Sequence, residues 1–192
     1  VVVNPKKTDP LFLENDVNKS IPLYLLLDPG VGLKVLITKQ YDQANINFFA
    51  AQLKKNKSAK VSIIDIGANI GMFSRQFIGQ FKDRLDSIYV YEPDPAIFPI
   101  LENNLQGTKK VNLFNAGIGD VSGNLDFYID SDQPSSSSLL QTSLPKKYYN
   151  VKKTTVEIFS ADNESKKWLQ NDGLLFYKSD TQGYDLNIVI AD

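Results

Sequence analysis

The sequence predicts an α/β fold built on a mostly parallel, doubly wound sheet, and three observations carry that expectation. Short β-branched runs alternate with helical patterns from residue 61 onward. A glycine-bearing turn joins the first run to its helix, and an acidic residue closes the second run. Strands alternating with helices over spans this short imply βαβ units and a sheet covered on both faces.

Residues 1–60 form a lead-in. Residues 1–40 mix prolines, glycines and short apolar runs at 23–27 and 35–37, which reads as irregular or hairpin-like. From Asp42, a good N-cap residue, Ala44, Phe48, Phe49, Ala51 and Leu53 predict a helix packed on the sheet. Lys54, Lys55, Lys57 and Lys60 then read as a solvated cap at its negative dipole end.

The main domain is expected over residues 61–192. Residues 61–66 form the first strand, and Ile70, Phe73, Phe77, Ile78 and Phe81 recur at helical spacing after it. Residues 88–91 make the second strand, with Asp94 as cap and Pro95 at the first helical position of the next helix. Pro99 inside that helix predicts a kink or a late start, because an interior proline loses a hydrogen bond and clashes with the preceding turn. Further strands are expected at 111–114, 125–129, 156–159 and 174–177, with a helix at 163–169. Between them, residues 131–145 carry four consecutive serines and read as a loop, either a plain connection or a substrate lid.

Composition narrows the chemistry. A net charge of −1 leaves no basic excess for a phosphate backbone, so no nucleic-acid partner is expected. Without histidine or cysteine there is no Ser-His-Asp triad, imidazole base, thiol nucleophile or zinc thiolate site in these residues, and any base must be Asp, Glu, Lys, Tyr or a bound group. No obligatory metal is expected, because Asp180 and Asp185 do not make a ligand set. The apolar runs are too short to span a bilayer and no signal peptide opens the chain, which predicts a cytoplasmic protein with no membrane partner.

The stretch Asp65-Ile66-Gly67-Ala68-Asn69-Ile70-Gly71 has the strand, turn and helix-start order of a nucleotide site. Gly67 allows the tight turn, and Gly71 is expected to let the helix approach the sheet. A dinucleotide site needs glycine where Asn69 stands, so a cofactor without phosphates fits better, and S-adenosylmethionine is the candidate. Asp65 has the right sign to face its cationic part. Glu92, at the end of the second strand, is placed to accept hydrogen bonds from both ribose hydroxyls; the alternative is a helix cap, a role assigned here to Asp94. Asp180 follows the strand at 174–177 and is the candidate base, with an N-cap near Gly183 as its alternative. Lys178, two residues earlier, is the second candidate and is expected on the opposite face, paired with an acid.

These motifs, taken in order with Asn115-Ala116-Gly117-Ile118-Gly119-Asp120 and Lys178-Ser179-Asp180-Thr181-Gln182-Gly183-Tyr184-Asp185, resemble the FkbM family of methyltransferases. The resemblance runs from about residue 61 to the end. It implies a Rossmann-like class I methyltransferase fold, transfer of a methyl group to a hydroxyl of a sugar or secondary metabolite, and an adenine pocket lined by Ala116, Gly117 and Ile118. That fold continues for three more strands, so the C-terminal part is expected to be incomplete here. Two other functions share the layout: a nicotinamide-dependent oxidoreductase and a non-catalytic adenosine-fold module.

Overall fold

The computed structural model describes residues 2–3, 23–26, 32–130, 137–140, 151–170 and 173–185. In chain order the elements are β1 (Val2–Val3), β2 (Leu25–Leu26), α1 (Gly32–Thr38), α2 (Gln43–Lys55), β3 (Val61–Ile66), α3 (Met72–Phe81) and β4 (Leu85–Tyr91). They continue with α4 (Phe98–Leu105), β5 (Val111–Phe114), β6 (Gly117–Gly119), β7 (Gly123–Asp130), β8 (Val151–Ser160), α5 (Ala161–Trp168) and β9 (Leu174–Ser179).

The central sheet has the order β5-β4-β3-β9, and every neighbouring pair in it is parallel. The chain reverses its direction of advance at β3, so the carboxyl ends of β3, β4 and β9 surround the topological switch point where such sheets bind ligands. β3 is buried along its whole length, as a central strand covered on both faces must be. Val61 and Ile63 enter a core with Phe73, Phe77 and Leu101, while Ile64 and Ile66 enter another with Tyr91, Ile118 and Trp168. This alternation is the period-two pattern of a strand with an apolar layer on each side.

A second sheet, β6-β8-β7, departs from the expected parallel arrangement. β6 runs parallel to β8, but β7 pairs with β8 antiparallel over its full length. Residues 125–129 and 156–159 are strands as expected, and both extend further than their apolar centres. The reason is that added positions such as Lys153 are held by cross-strand pairing and by a surface ion pair of 2.7 Å with Asp126 rather than by burial.

The lead-in differs more. Residues 35–37 lie in helix α1, and Leu25–Leu26 pair with Val2–Val3 as antiparallel strands. In α2 the buried face is Ile46, Phe49 and Leu53, whereas Phe48 is 56% exposed and Ala44 and Ala51 face solvent. Phe49 stacks on Phe176 of β9, with ring centroids 4.5 Å apart, and this fixes α2 over the β9 edge. The carbonyls at the end of α2 are taken by the Arg84 guanidinium, which reaches Leu53 O at 2.9 Å and also the Asn56 and Ala59 carbonyls. Lys54, Lys55 and Lys57 stay exposed at that end.

Pro99 acts by delaying its helix. Asp94 Oδ1 accepts from Ala96 N and the Asp94 carbonyl accepts from Ile97 N and Phe98 N, which shapes a turn; α4 then begins at Phe98 with Pro99 in its first turn. A proline there lacks only an N–H that would have no helical partner anyway.

Candidate active site

The turn from Gly67 to Gly71 alternates handedness. Gly67, Asn69 and Gly71 all have positive φ, at 71°, 52° and 81°. Asparagine is the side-chain-bearing residue that best tolerates this, and Asn69 Oδ1 accepts from Ile70 N at 2.8 Å. The other N–H groups of the turn are also used. Gly67 N and Ala68 N donate to Tyr91 O, Asn69 N donates to Glu92 Oε2, and Gly71 N donates to Ala68 O. A pyrophosphate cradle needs such N–H groups free to point at the ligand. Here the protein consumes them.

Gly67 is demanded by close approach as well as by φ. A Cβ there would run into the backbone carbonyl of Asp180, whose own N–H donates to Ile66 O at 3.0 Å. The β9 exit is therefore laid directly across the start of the turn. Gly71 packs differently from expectation: a Cβ would meet Leu101 Cδ1 of α4 at 2.6 Å, so this glycine serves helix-to-helix contact rather than approach to the sheet.

Glu92 joins the turn to the end of β4. It is 6% exposed, accepts from Asn69 N at 2.7 Å and Asp94 N at 2.8 Å, and each oxygen keeps a second lone pair. Burial pushes its carboxyl up to about 7, against the pull of the Asp94 and Asn69 N–H bonds. Asp94 does not cap α4, whose N-cap position is Ile97, and Pro95 lies in the preceding turn rather than at the first helical position; Asp94 shapes that turn through Ala96 N, and its Oδ2 is buried with no hydrogen-bond donor among the described residues. Asn115 Nδ2 donates to Glu92 O at 2.8 Å and so ties the end of β5 to the same corner. Asn115 stands in the motif with no local signal for this role, which rests on a carbonyl brought beside it by the β4-β5 pairing.

Ala116, Gly117 and Ile118 follow that corner and are buried. Gly117 lies beside Pro93, 3.8 Å from where its Cβ would be, so the segment does border the Glu92 corner. Ile118, however, sends its side chain into the core with Ile64 and Tyr91.

Asp65 is fully buried and does not face an open ligand position. Its Oδ2 accepts from Ser74 Oγ at 2.7 Å and its Oδ1 faces Lys178 Nζ at 2.9 Å. The ammonium of Lys178 also donates to Gly67 O at 3.2 Å and lies 5.7 Å from the centre of the Phe73 ring. Burial alone would lower Lys178, but Asp65 and Asp180 outweigh it and hold the ammonium above its ordinary range. It remains a charged partner and is no reservoir for a proton. The pairing with an acid agrees with expectation; the opposite face does not, because Lys178 and Asp180 line one cleft. Side chains two apart in a strand share a face.

That cleft encloses about 330 Å³ and is lined by Lys34 of α1, by Tyr41, Asp42 and Asn45 at the head of α2, and by Lys178 and Asp180 at the end of β9. Asp180 is open to solvent, and among the described residues its Oδ1 has a single 3.3 Å contact, from Gln182 Nε2. Partial burial raises its carboxyl and Lys178 pulls it back down, with solvent screening both effects. The turn after Asp180 is closed from its far end: Asp185 Oδ1 accepts from Thr181 N and from Ser179 Oγ, both of which precede it, so this is not an N-cap. Of the serine loop, residues 131–136 and 141–145 lie outside the described residues; Ser138 bridges Tyr128 and donates to Gln182 O.

Residues 65–191 match the methyltransferase FkbM domain model. The chain belongs to the FkbM methyltransferase domain family. The match begins at Asp65 and takes in the glycine turn, the Glu92 corner, the Asn115 segment and Asp180. Among solved structures, methyltransferase FkbM from Methylobacillus flagellatus KT is 18% identical, with a TM-score of 0.44 over 70% of this chain. The chain spans 28% of that protein's length. No curated protein matches the sequence. Among the described residues no helix is long and apolar enough to cross a membrane, and no group of three acidic, histidine or cysteine side chains could hold a metal ion.

Proposed function

We propose that this domain binds S-adenosylmethionine at the Gly67–Gly71 turn and transfers its methyl group to a hydroxyl of a small-molecule or glycan acceptor. The observation that carries this reading is Glu92: a buried carboxylate at the end of β4 that is hydrogen-bonded to the glycine turn itself. It has lone pairs left for a ribose diol. Asp94, with an unpartnered buried oxygen beside it, adds a second acceptor at the same strand end. Two carboxylates and a turn whose N–H groups are already used favour a donor-rich ligand without phosphates. A nicotinamide dinucleotide would set its negative pyrophosphate against them.

When bound, S-adenosylmethionine supplies a methyl carbon on a cationic sulfur, which keeps the carbon–sulfur electron pair as the methyl leaves. Asp180 receives the proton of the acceptor hydroxyl. Its backbone is clamped to Ile66 O and against Gly67, so its carboxylate is held within reach of whatever the turn presents. An alcohol is far less acidic than a carboxylic acid, so the proton moves late, as the oxygen gains its new bond. Lys178 keeps its proton and works as a strut: through Asp65 and Gly67 O it fixes the turn to β9.

Mass analysis of the purified protein, followed by titration with S-adenosylmethionine and NAD, tests this reading. Bound S-adenosylmethionine or its demethylated product is expected. Tighter binding of NAD would end it.

A further inference from the structure

The wall of the cleft opposite Asp180 comes from Lys34, Tyr41, Asp42 and Asn45, all outside the span that matches the family. Asp42 is the anomaly among them. It stands where an N-cap belongs, yet its φ is +48° and its side chain makes no capping bond to α2. An N-cap residue ordinarily has extended backbone and uses its carboxylate on the helix N–H groups. Instead Asp42 Oδ2 accepts from the Asn45 side-chain amide at 2.8 Å. A sparsely populated backbone conformation therefore holds a carboxylate off the helix N–H groups and at the cleft.

The surroundings lock that arrangement. Tyr41 N donates to Oε1 of Gln76, which is 2% exposed on α3, and Gln76 Nε2 donates to Gln43 Oε1. The bonds on both sides of Asp42 thus end on one buried side chain. The Tyr41 ring packs between the two apolar clusters at this end of the domain, and burial pushes its phenol up to about 12, so it stays a neutral donor.

Two carboxylates sharing one cleft repel each other unless donors lie between them. We propose that Asp42, held by Asn45, is a specificity-determining residue that accepts a hydrogen bond from a second hydroxyl of the acceptor, so that the cleft selects uncharged vicinal diols such as sugar rings. Asp180 then faces the hydroxyl that is methylated, and Asp42 its neighbour. An anionic acceptor would meet both carboxylates, and of the two lysines lining the cleft Lys178 is already paired with Asp65. This rests on the methyl-transfer reading above.

The test uses the full chain, tritiated S-adenosylmethionine, and a panel of methyl hexosides, their monodeoxy analogues lacking one hydroxyl of a vicinal pair, methyl hexuronides and cyclohexanol. Methyl hexosides are expected to exceed their deoxy analogues in kcat/KM by about tenfold or more, the scale of one lost hydrogen bond to a charged group. Asp42→Gly removes the carboxylate while suiting the positive φ. It should bring that ratio close to one and leave S-adenosylmethionine affinity unchanged. An unchanged ratio in Asp42→Gly overturns the proposal, as does loss of S-adenosylmethionine binding in a folded Asp42→Gly protein, which would place the donor's ammonium at Asp42. If the wild type binds the donor but methylates no hexoside, or prefers hexuronides or cyclohexanol, the diol proposal fails and the donor site stands. If it binds no S-adenosylmethionine at all, the methyl-transfer reading fails first.

Discussion

The backbone carbonyl of Asp180 occupies the place where a side chain on Gly67 would begin. These residues are remote in sequence, and their contact joins the exit of β9 to the start of the glycine turn. Gly67→Ala must therefore displace backbone, and it also strains a positive φ. At Gly71 the obstacle is the tip of the Leu101 side chain, which can rotate away. Gly67→Ala is expected to destabilise by about 3 kcal/mol or more and Gly71→Ala by about 1–2 kcal/mol. Urea unfolding followed by the fluorescence of Trp168 measures both, and equal losses would contradict the close approach at Gly67.

Glu92 predicts a pH dependence with a definite sign. Its carboxyl is raised from 4.5 to about 7 by burial, so between those values the folded state holds a proton that the unfolded chain has lost. Stability then falls as pH rises through that window, by about 3 kcal/mol in total, and is level above it. Glu92→Gln should be offset from the wild type by a constant but lack this slope. Unfolding at a series of pH values from 4 to 8 gives the comparison, and parallel curves for the two proteins would refute it. Since hydrogen bonds from a diol favour the ionised carboxylate, donor affinity should rise over the same range.

The strands and helices of the central sheet were legible because each is a short apolar run with a fixed period. Val61–Ile66 and Val111–Phe114 have the expected bounds, and Asp94 and Pro99 shape the start of α4 by local chemistry that a sequence displays. What escaped is long-range. The partner of Asp65 is a lysine contributed by β9, and nothing near Asp65 in sequence signals a buried ion pair. The helical face of α2 was misjudged because Phe48 and Phe49 are equally apolar and only the position of Phe176 decides between them. The part played by Tyr24 and by residues 34–45 was invisible for the same reason: Tyr24 is held by Asn104, which also donates to Ile70 O, and the cleft exists only once α2 docks beside β9.

The Asp65–Lys178 pair should behave as a buried couple. Lys178→Met leaves a buried carboxylate at Asp65 with Ser74 as its remaining partner, and a loss of about 3–5 kcal/mol is expected. Asp65→Asn together with Lys178→Met should recover most of it, because neither charge is then left alone. A double-mutant cycle checks this. Strict additivity of the two single losses would show that the ion pair contributes nothing.

Glu92→Ala should weaken S-adenosylmethionine by about 1.5–3 kcal/mol, the range for hydrogen bonds to a charged group. The same change frees Asn69 N and Asp94 N, which are bonded to the carboxylate, so some loss of stability must accompany it. Calorimetric titration of a protein shown to be folded separates the two effects. Donor affinity equal to that of the wild type would reduce Glu92 to a clamp between the turn and β4.

Asp180→Asn separates proton transfer from structure. Among the described residues the carboxylate makes a single long contact, with Gln182, while the turn that follows is organised by Asp185, which accepts from Thr181 N and Ser179 Oγ. Asparagine keeps the size and an acceptor oxygen but cannot take up a proton at working pH, so Asp180→Asn should fold and bind the donor normally while turnover falls by about 100-fold or more. Asp185→Asn should do the reverse, costing about 1 kcal/mol of stability through the weakened turn and changing turnover less. The pH profile adds an independent reading. With the Asp180 carboxyl raised by partial burial against the opposing pull of Lys178, the acid limb of wild-type activity should lie above the ordinary aspartate range, and it should vanish from whatever activity Asp180→Asn retains. Near-normal turnover in a folded Asp180→Asn protein would remove this carboxylate from the chemistry. Lys178, held protonated by its buried partner, could not take its place. Among the described residues Asp42 is the other carboxylate lining the cleft, and Asp42→Asn would then be the next variant to test for loss of turnover.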